Sequence, residues 1–160
     1  MNSLTRKNWL ESRRQGLGAT DIASLAGVGF MGPLDVFKSK VEPIPDEPEI
    51  HPLLEIGLAT EDLNAALYSR RLDVKLIKPT LSRHPQYEWA AASLDRQTAD
   101  AGRPVETKYT PFYSDVWGEQ FTDQVPSGYI VQTQWQMECV TAVSADISAL
   151  SGTGEHRIYR

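Results

Sequence analysis

Asp95, Glu106 and Lys108 are the residues of this 160-residue sequence whose types and spacing point to chemistry. They fall in the stretch YEWAAASLDRQTADAGRPVETKY, residues 87–109. Residues 87–94 are aromatic and small-apolar, 95–103 are polar and turn-rich with Gly102 ahead of Pro104, and 105–109 alternate, so the pattern predicts a β-hairpin. Successive side chains of a strand take opposite faces. Glu106 and Lys108 therefore project together, about 6.6 Å apart along the strand, with Val105, Thr107 and Tyr109 on the other face. Asp95 closes the neighbouring strand. Hard divalent cations take oxygen ligands, and Mg²⁺ is usually held by one or two carboxylates plus water and substrate phosphate. A lysine beside such an ion helps to orient or deprotonate an attacking water and offsets charge developing on phosphate. Glu106 and Lys108 also suit an ordinary same-face pair worth about 0.2–1 kcal/mol, and the residues by themselves leave both readings open.

The elements that must position these groups can be taken in order. Ser3 is placed to cap a first helix running to about Arg14, which carries Arg6, Lys7, Arg13 and Arg14 as a basic set. Gly16 and Gly18 allow a tight turn, and Thr20 is placed to cap a short helix over 21–26. A helix start after a glycine turn suits an anion, with Arg14 adding a charged fork, although the two glycines equally serve to end one helix before the next. A short helix follows around 34–39, and proline and acid dominate 42–52, a surface loop. Residues 53–71 read as a helix with an apolar stripe of Ile56, Ala59, Leu63, Ala66 and Leu67, and periodicity leaves Glu61 as a solvated glutamate. Residues 72–79 and 81–83 read as strand. After an irregular aromatic segment, Ser127 caps a helix to about Ala142 on which Gln132, Trp135, Gln136 and Cys139 share one face. Ile130, Met137 and Val140 fall off that face and supply packing. The glutamines are either plain helix formers or groups that position substrate or water. Residues 144–150 and 155–160, around Ser-Gly-Thr-Gly, form a closing hairpin.

Composition sets limits on function. The length suits one domain over 1–160, enough to bury roughly 70% of the unfolded surface. The net charge of −5 gives no bulk electrostatic grip on DNA or membrane, so basic groups must act locally and a bound metal must offset acids if nucleic acid is the partner. The single cysteine, Cys139, excludes disulfide frameworks and multi-cysteine metal sites and reads as buried packing. His51, His84 and His156 show no metal-ligand spacing. With no apolar leader and no spanning segment, a soluble intracellular protein is expected.

The segments RRQGLGATDIASLAG, LLEIGLATEDLNAALY, AAASLDR, RPVETKY, DQVPSGYIVQTQWQM and ALSGTGEHRIYR, in this order over nearly the whole chain, resemble the YqaJ-type viral recombinases, relatives of phage lambda exonuclease in the PD-(D/E)XK nuclease superfamily. The resemblance implies an α/β (α+β) single domain: a central mixed β-sheet flanked by helices, with the restriction-endonuclease-like core. It implies a Mg²⁺-dependent exonuclease acting 5′ to 3′ on linear duplex DNA, with Mn²⁺ able to substitute. Asp95, Glu106 and Lys108 match the nuclease motif, Thr107 would give a backbone carbonyl to metal, and Glu61 matches an upstream metal-side carboxylate. Gln132 matches the helix glutamine that completes the site, and Arg14 and Thr20 match positions near the 5′-phosphate of a DNA end. Implied partners are double-stranded DNA ends, a single-strand annealing protein and two further copies of the chain in a ring-shaped trimer. The implied setting is the cytoplasm of a bacterial host, with a phage or prophage origin. Leu94 stands where the superfamily has proline, Arg96 stands where glycine is common, and many relatives continue beyond the closing hairpin. A non-catalytic DNA-end binder and an endonuclease on the same fold are the competing readings.

Overall fold

The computed structural model describes residues 3–44 and 51–160, with side chains from residue 7 onward. Most of the acidic loop expected over 42–52 therefore lies outside the described residues, as do the side chains of Ser3, Leu4 and Arg6. The elements run α1 (Ser3–Arg14), α2 (Ala19–Leu25), α3 (Pro33–Val41), α4 (Pro52–Leu72), β1 (Leu76–Ile77), β2 (Ser82–Arg83), β3 (Ala91–Ala92), β4 (Arg96–Thr98), β5 (Pro104–Thr110), α5 (Ser127–Val140), β6 (Asp146–Ser151) and β7 (His156–Tyr159). Among the described residues, no helix is long and apolar enough to cross a membrane.

The central sheet has the order β1-β4-β5-β6-β7, and β2 pairs with β3 in a separate two-stranded sheet. Strands β5 and β6 are parallel and every other pair is antiparallel, so the sheet is mixed, as the resemblance implies. A parallel neighbour needs a long crossover, and the segment carrying α5 supplies it. Strand β6 is buried on both faces along its whole length, the pattern of a central strand covered on each side.

Alternation along β5 divides the two faces. Val105 packs with Tyr68 of α4 and Ile158 of β7, flanked by Leu72, Val74 and Leu76. Glu106 points the other way, toward α5. On that side Cys139 packs with Ala90, Ala92 and Leu94, as its reading as core requires. A third cluster, Trp117, Val125, Ile147, Ala149 and Tyr159, anchors the irregular aromatic segment that precedes α5.

Five expectations are corrected by the structure. The hairpin exists, but its first strand is β4, after Asp95; the segment before Asp95 forms a turn and then β3, which pairs with β2. Small apolar residues there fill the space beneath Cys139, where no long strand is needed. The buried stripe of α4 is Asn64, Ala65 and Tyr68, while Ile56 and Leu63 are exposed. Asn64 earns its place by polar contact: its Nδ2 donates to the carbonyls of Lys108 (3.1 Å) and Ser148 (2.8 Å), and its Oδ1 accepts from Ser148 Oγ at 2.7 Å. The cap of α2 is Gly18, with Thr20 inside the first turn, because Asp21 turns its Oδ2 back onto the Gly18 N–H at 2.8 Å. The predicted strand over 72–79 shrinks to β1, and Ile130 on α5 is exposed where packing was expected.

Candidate active site

Strand register brings the two carboxylates together. Arg96 pairs with Val105 in the antiparallel β4–β5 ladder, so the next step outward sets Asp95 against Glu106. Asp95 is fixed there by Thr107, whose backbone N–H and Oγ1 both donate to Oδ2 at 2.8 Å, which leaves Oδ1 outside both bonds. Glu106 is buried at 4% exposure. Its Oε1 accepts from Lys108 Nζ (2.6 Å) and Gln132 Nε2 (2.5 Å), and its Oε2 accepts from Gln136 Nε2 at 2.6 Å. Lys108 Nζ also donates to Gln132 Oε1 at 2.9 Å and stands 4.6 Å from the ring centre of Tyr129.

The electrostatics follow from this inventory: two carboxylates face one ammonium. Burial, and then the charge of Glu106, push the Asp95 carboxyl up to about 7, against the opposing pull of Lys108 and the Thr107 bonds. For Lys108, burial works toward the neutral amine, but Glu106 and Asp95 outweigh it and hold the ammonium above its usual range. A centre with more acid than base and one oxygen of Asp95 outside the Thr107 bonds fits a hard dication. Among the described residues no three acids, histidines or cysteines converge as a metal-holding group, so the fit rests on the Asp95–Glu106 pair. His84 instead meets Glu138 at 3.1 Å, and His156 meets Ser148 at 2.8 Å.

These groups open onto a cleft of about 530 Å³, whose walls also include Glu61, Thr20, Arg13 and Lys78. Of the residues singled out in the sequence, the cleft thus brings together Asp95, Glu106, Thr107, Lys108, Gln132, Glu61 and Thr20. Arg14 is not in its walls; its Nε donates to the carbonyl of Lys40 at 3.1 Å, and the arginine that lines the cleft is Arg13. At the start of α2, Asp21 is buried and bound by Lys40 Nζ at 2.6 Å, so an internal anion already faces the glycine turn. Glu61 enters the cleft in the grip of two cations: its Oε1 accepts from Arg96 Nη1 (2.6 Å) and Lys78 Nζ (2.7 Å). Burial opposes ionisation of Glu61, but the bonds and charges of Lys78 and Arg96 prevail and its pKa is lowered. Gln136 is the site residue that the motif reading passed over. Its signal was present in the shared face with Gln132, but periodicity alone gives no reason to prefer a ligand-holding role over helix-forming.

The fold is shared with solved exonuclease structures. Among solved structures, LHK-Exo in complex with dAMP matches with a TM-score of 0.71 at 16% identity, over 94% of this chain and 79% of that one. An alkaline exonuclease (LHK-Exo) from Laribacter hongkongensis matches with a TM-score of 0.70 at 17% identity, with the same coverage. The chain itself belongs to the YqaJ-like viral recombinase domain family, whose model matches residues 8–146. The uncharacterized protein YqaJ of Bacillus subtilis (strain 168) is 27% identical over 136 residues, which are 83% of this chain and 42% of that relative, so the chain spans less than half of the relative's length.

Proposed function

We propose that the chain is a divalent-metal-dependent deoxyribonuclease that degrades linear duplex DNA from its ends. The observation that carries this reading is the placement of Asp95 against Glu106 across β4 and β5, with the Lys108 ammonium on the same acid and all three in one cleft. The family supports it, and so does the fold shared with a protein described as an alkaline exonuclease. Asp95, Glu106 and the Thr107 carbonyl would hold Mg²⁺, or Mn²⁺ in its place. Bound there, the ion supplies Lewis acidity toward a phosphodiester and lowers the pKa of a ligated water.

The chain's own groups do the remaining work. Thr107 aims Asp95 by two bonds to one oxygen. Gln132 and Gln136 hold Glu106 by opposite oxygens and stop it from rotating. Lys108, kept protonated by its acidic neighbours, offsets negative charge that develops on the phosphate and contributes a donor at the cleft floor. The DNA end is assigned to the wall that carries Thr20 and Arg13, while Arg14, outside the wall, holds the carbonyl of Lys40. Degradation 5′ to 3′, a ring-shaped trimer, a single-strand annealing partner and action in the cytoplasm of a phage-bearing bacterium complete the proposal by family resemblance.

Incubation of linear and covalently closed circular duplex with the protein and Mg²⁺ tests the reading. Loss of the linear DNA alone is expected. Cutting of the circle indicates an endonuclease on the same fold, and retention of both DNAs with binding to ends indicates a non-catalytic end binder.

A further inference from the structure

Glu61 shares a cleft with Asp95 and Glu106, yet its surroundings are of opposite sign. One oxygen, Oε1, accepts from both Arg96 Nη1 and Lys78 Nζ. Arg96 is no loose surface chain: it is 7% exposed, donates through the same Nη1 to the Asp95 carbonyl at 2.5 Å, and reaches Asp62 through Nη2. The three partners come from three elements. Glu61 lies on α4, Lys78 directly follows β1, and Arg96 opens β4 next to Asp95. Tertiary structure, not local sequence, thus assembles the pair.

Counting charges separates the two corners of the cleft. At Asp95 and Glu106 acids outnumber the single ammonium, whereas at Glu61 two cations meet one carboxylate, with Asp62 largely in solvent. A divalent ion approaching Glu61 would have to share its oxygen with a guanidinium and an ammonium already at hydrogen-bond distance. A lysine can yield by losing its proton, but a guanidinium does not do so in proteins. The corner that can accept a dication is therefore the other one.

We propose that Arg96 is a resident cation: with Lys78 it holds Glu61 in the place of a second divalent ion, so that the chain loads one such ion, at Asp95 and Glu106. This rests on the metal-nuclease reading above and deepens it. Arg96 acts as a positioning residue. It fixes Glu61 through the carboxylate and the Asp95 backbone through its carbonyl, and it keeps a permanent positive charge buried against Glu61.

Counting bound Mn²⁺ on the full chain, by the electron paramagnetic resonance signal of the free ion at pH 8, tests this without any assay of cleavage. One ion per chain is expected for the wild type, and Glu61→Gln should keep that stoichiometry with an affinity within about threefold, whereas Asp95→Asn should weaken binding by roughly tenfold or more. Replacing both cations, Arg96→Ala with Lys78→Ala, should open Glu61 to a second ion that disappears when Glu61→Gln is added, with circular dichroism confirming the fold. Two ions on the wild type, one of them lost in Glu61→Gln, would overturn the resident cation and leave the nuclease reading standing. A folded double variant that still takes one ion would overturn it as well. Wild-type protein that takes no Mn²⁺ at all would sink the nuclease reading itself. Where the double variant does not fold, the comparison of wild type with Glu61→Gln decides alone.

Discussion

Two buried acidic centres lie one residue apart in the sheet and have opposite characters. Asp146 pairs with Val105 in the β5–β6 register and faces α4; Glu106, the next residue on β5, faces α5. Asp146 is fully buried and accepts from Tyr68 Oη (2.5 Å), Arg103 Nη1 (3.0 Å), and Arg160 Nε and Nη2 (2.8 and 2.9 Å). Burial opposes its charge, but the bonds from Arg160 and Tyr68 and the two guanidinium charges hold its carboxyl below the usual range. Asp95 and Glu106 have one lysine between them, and Asp95 is pushed up. The fate of a buried acid is decided by how many cations the covering elements deliver. On the α4 face the carboxylate's charge is offset and the acid ties the sheet together, while on the α5 face a single ammonium is left to offset two carboxylates.

The contrast can be broken most strongly on the α5 face. Asp95→Asn should reduce Mg²⁺-dependent degradation of linear duplex by about 10³-fold or more, while the melting temperature of the metal-free protein stays unchanged or rises. Gel assays beside thermal scans check both halves, and undiminished cleavage would remove Asp95 from the centre. Next in size, Asp146→Asn leaves two guanidinium groups facing a neutral amide and should cost about 3 kcal/mol, roughly 10 °C in melting temperature. A loss below about 1 kcal/mol would show that Asp146 does not anchor the sheet.

Acidity sharpens the same contrast. A carboxyl raised to about 7 in the folded chain binds its proton more tightly there than in the unfolded chain, so its contribution to stability is present at low pH and fades as pH rises toward 7. Asp146, lowered, contributes in the opposite sense: its stabilisation is present above the ordinary aspartate pKa and is lost as pH falls through its own. Melting curves of metal-free protein should therefore show Asp95→Asn gaining on the wild type as pH rises, and Asp146→Asn converging on it in acid. Because the proton on Asp95 competes with a cation, Mg²⁺ affinity should also weaken as pH falls below 7. The smallest effect is expected for Gln136→Leu, which frees Glu106 Oε2 and should weaken Mn²⁺ binding about tenfold with little change in melting temperature. Unchanged affinity would make Gln136 a packing residue.

Much of this was legible along the chain wherever a single strand or helix face carried the signal. Alternation on β5 put Glu106 and Lys108 together, and the structure joins them at 2.6 Å. The helical face of Gln132, Trp135, Gln136 and Cys139 is the face that α5 turns inward. What failed was whatever depended on a partner distant in sequence. Ile56 and Leu63 looked like core on α4 because apolar periodicity ignores Asn64, whose worth lies in carbonyls 44 and 84 residues away. Thr20 is the exception: the bond from Gly18 to Asp21, three residues on, is a local box that favours Gly18 as the cap, and only Lys40, which neutralises Asp21, is distant. Arg96 stood out only as an unusual residue at its position, since its partners Glu61 and Lys78 are brought to it by folding.

Asn64 also ties the strand that carries the candidate site to the late-made β6. Its amide rivets α4 to β5 and to β6, and β5 gains its parallel neighbour only when β6 arrives. A nascent chain that has emerged through Lys108 carries every acid of the centre but lacks both the glutamines of α5 and the strand that fixes its edge. Domains made vectorially condense when their long-range pairings are complete. A half-made polypeptide thus lacks the contacts that complete the candidate site, and they arrive together with the finished sheet.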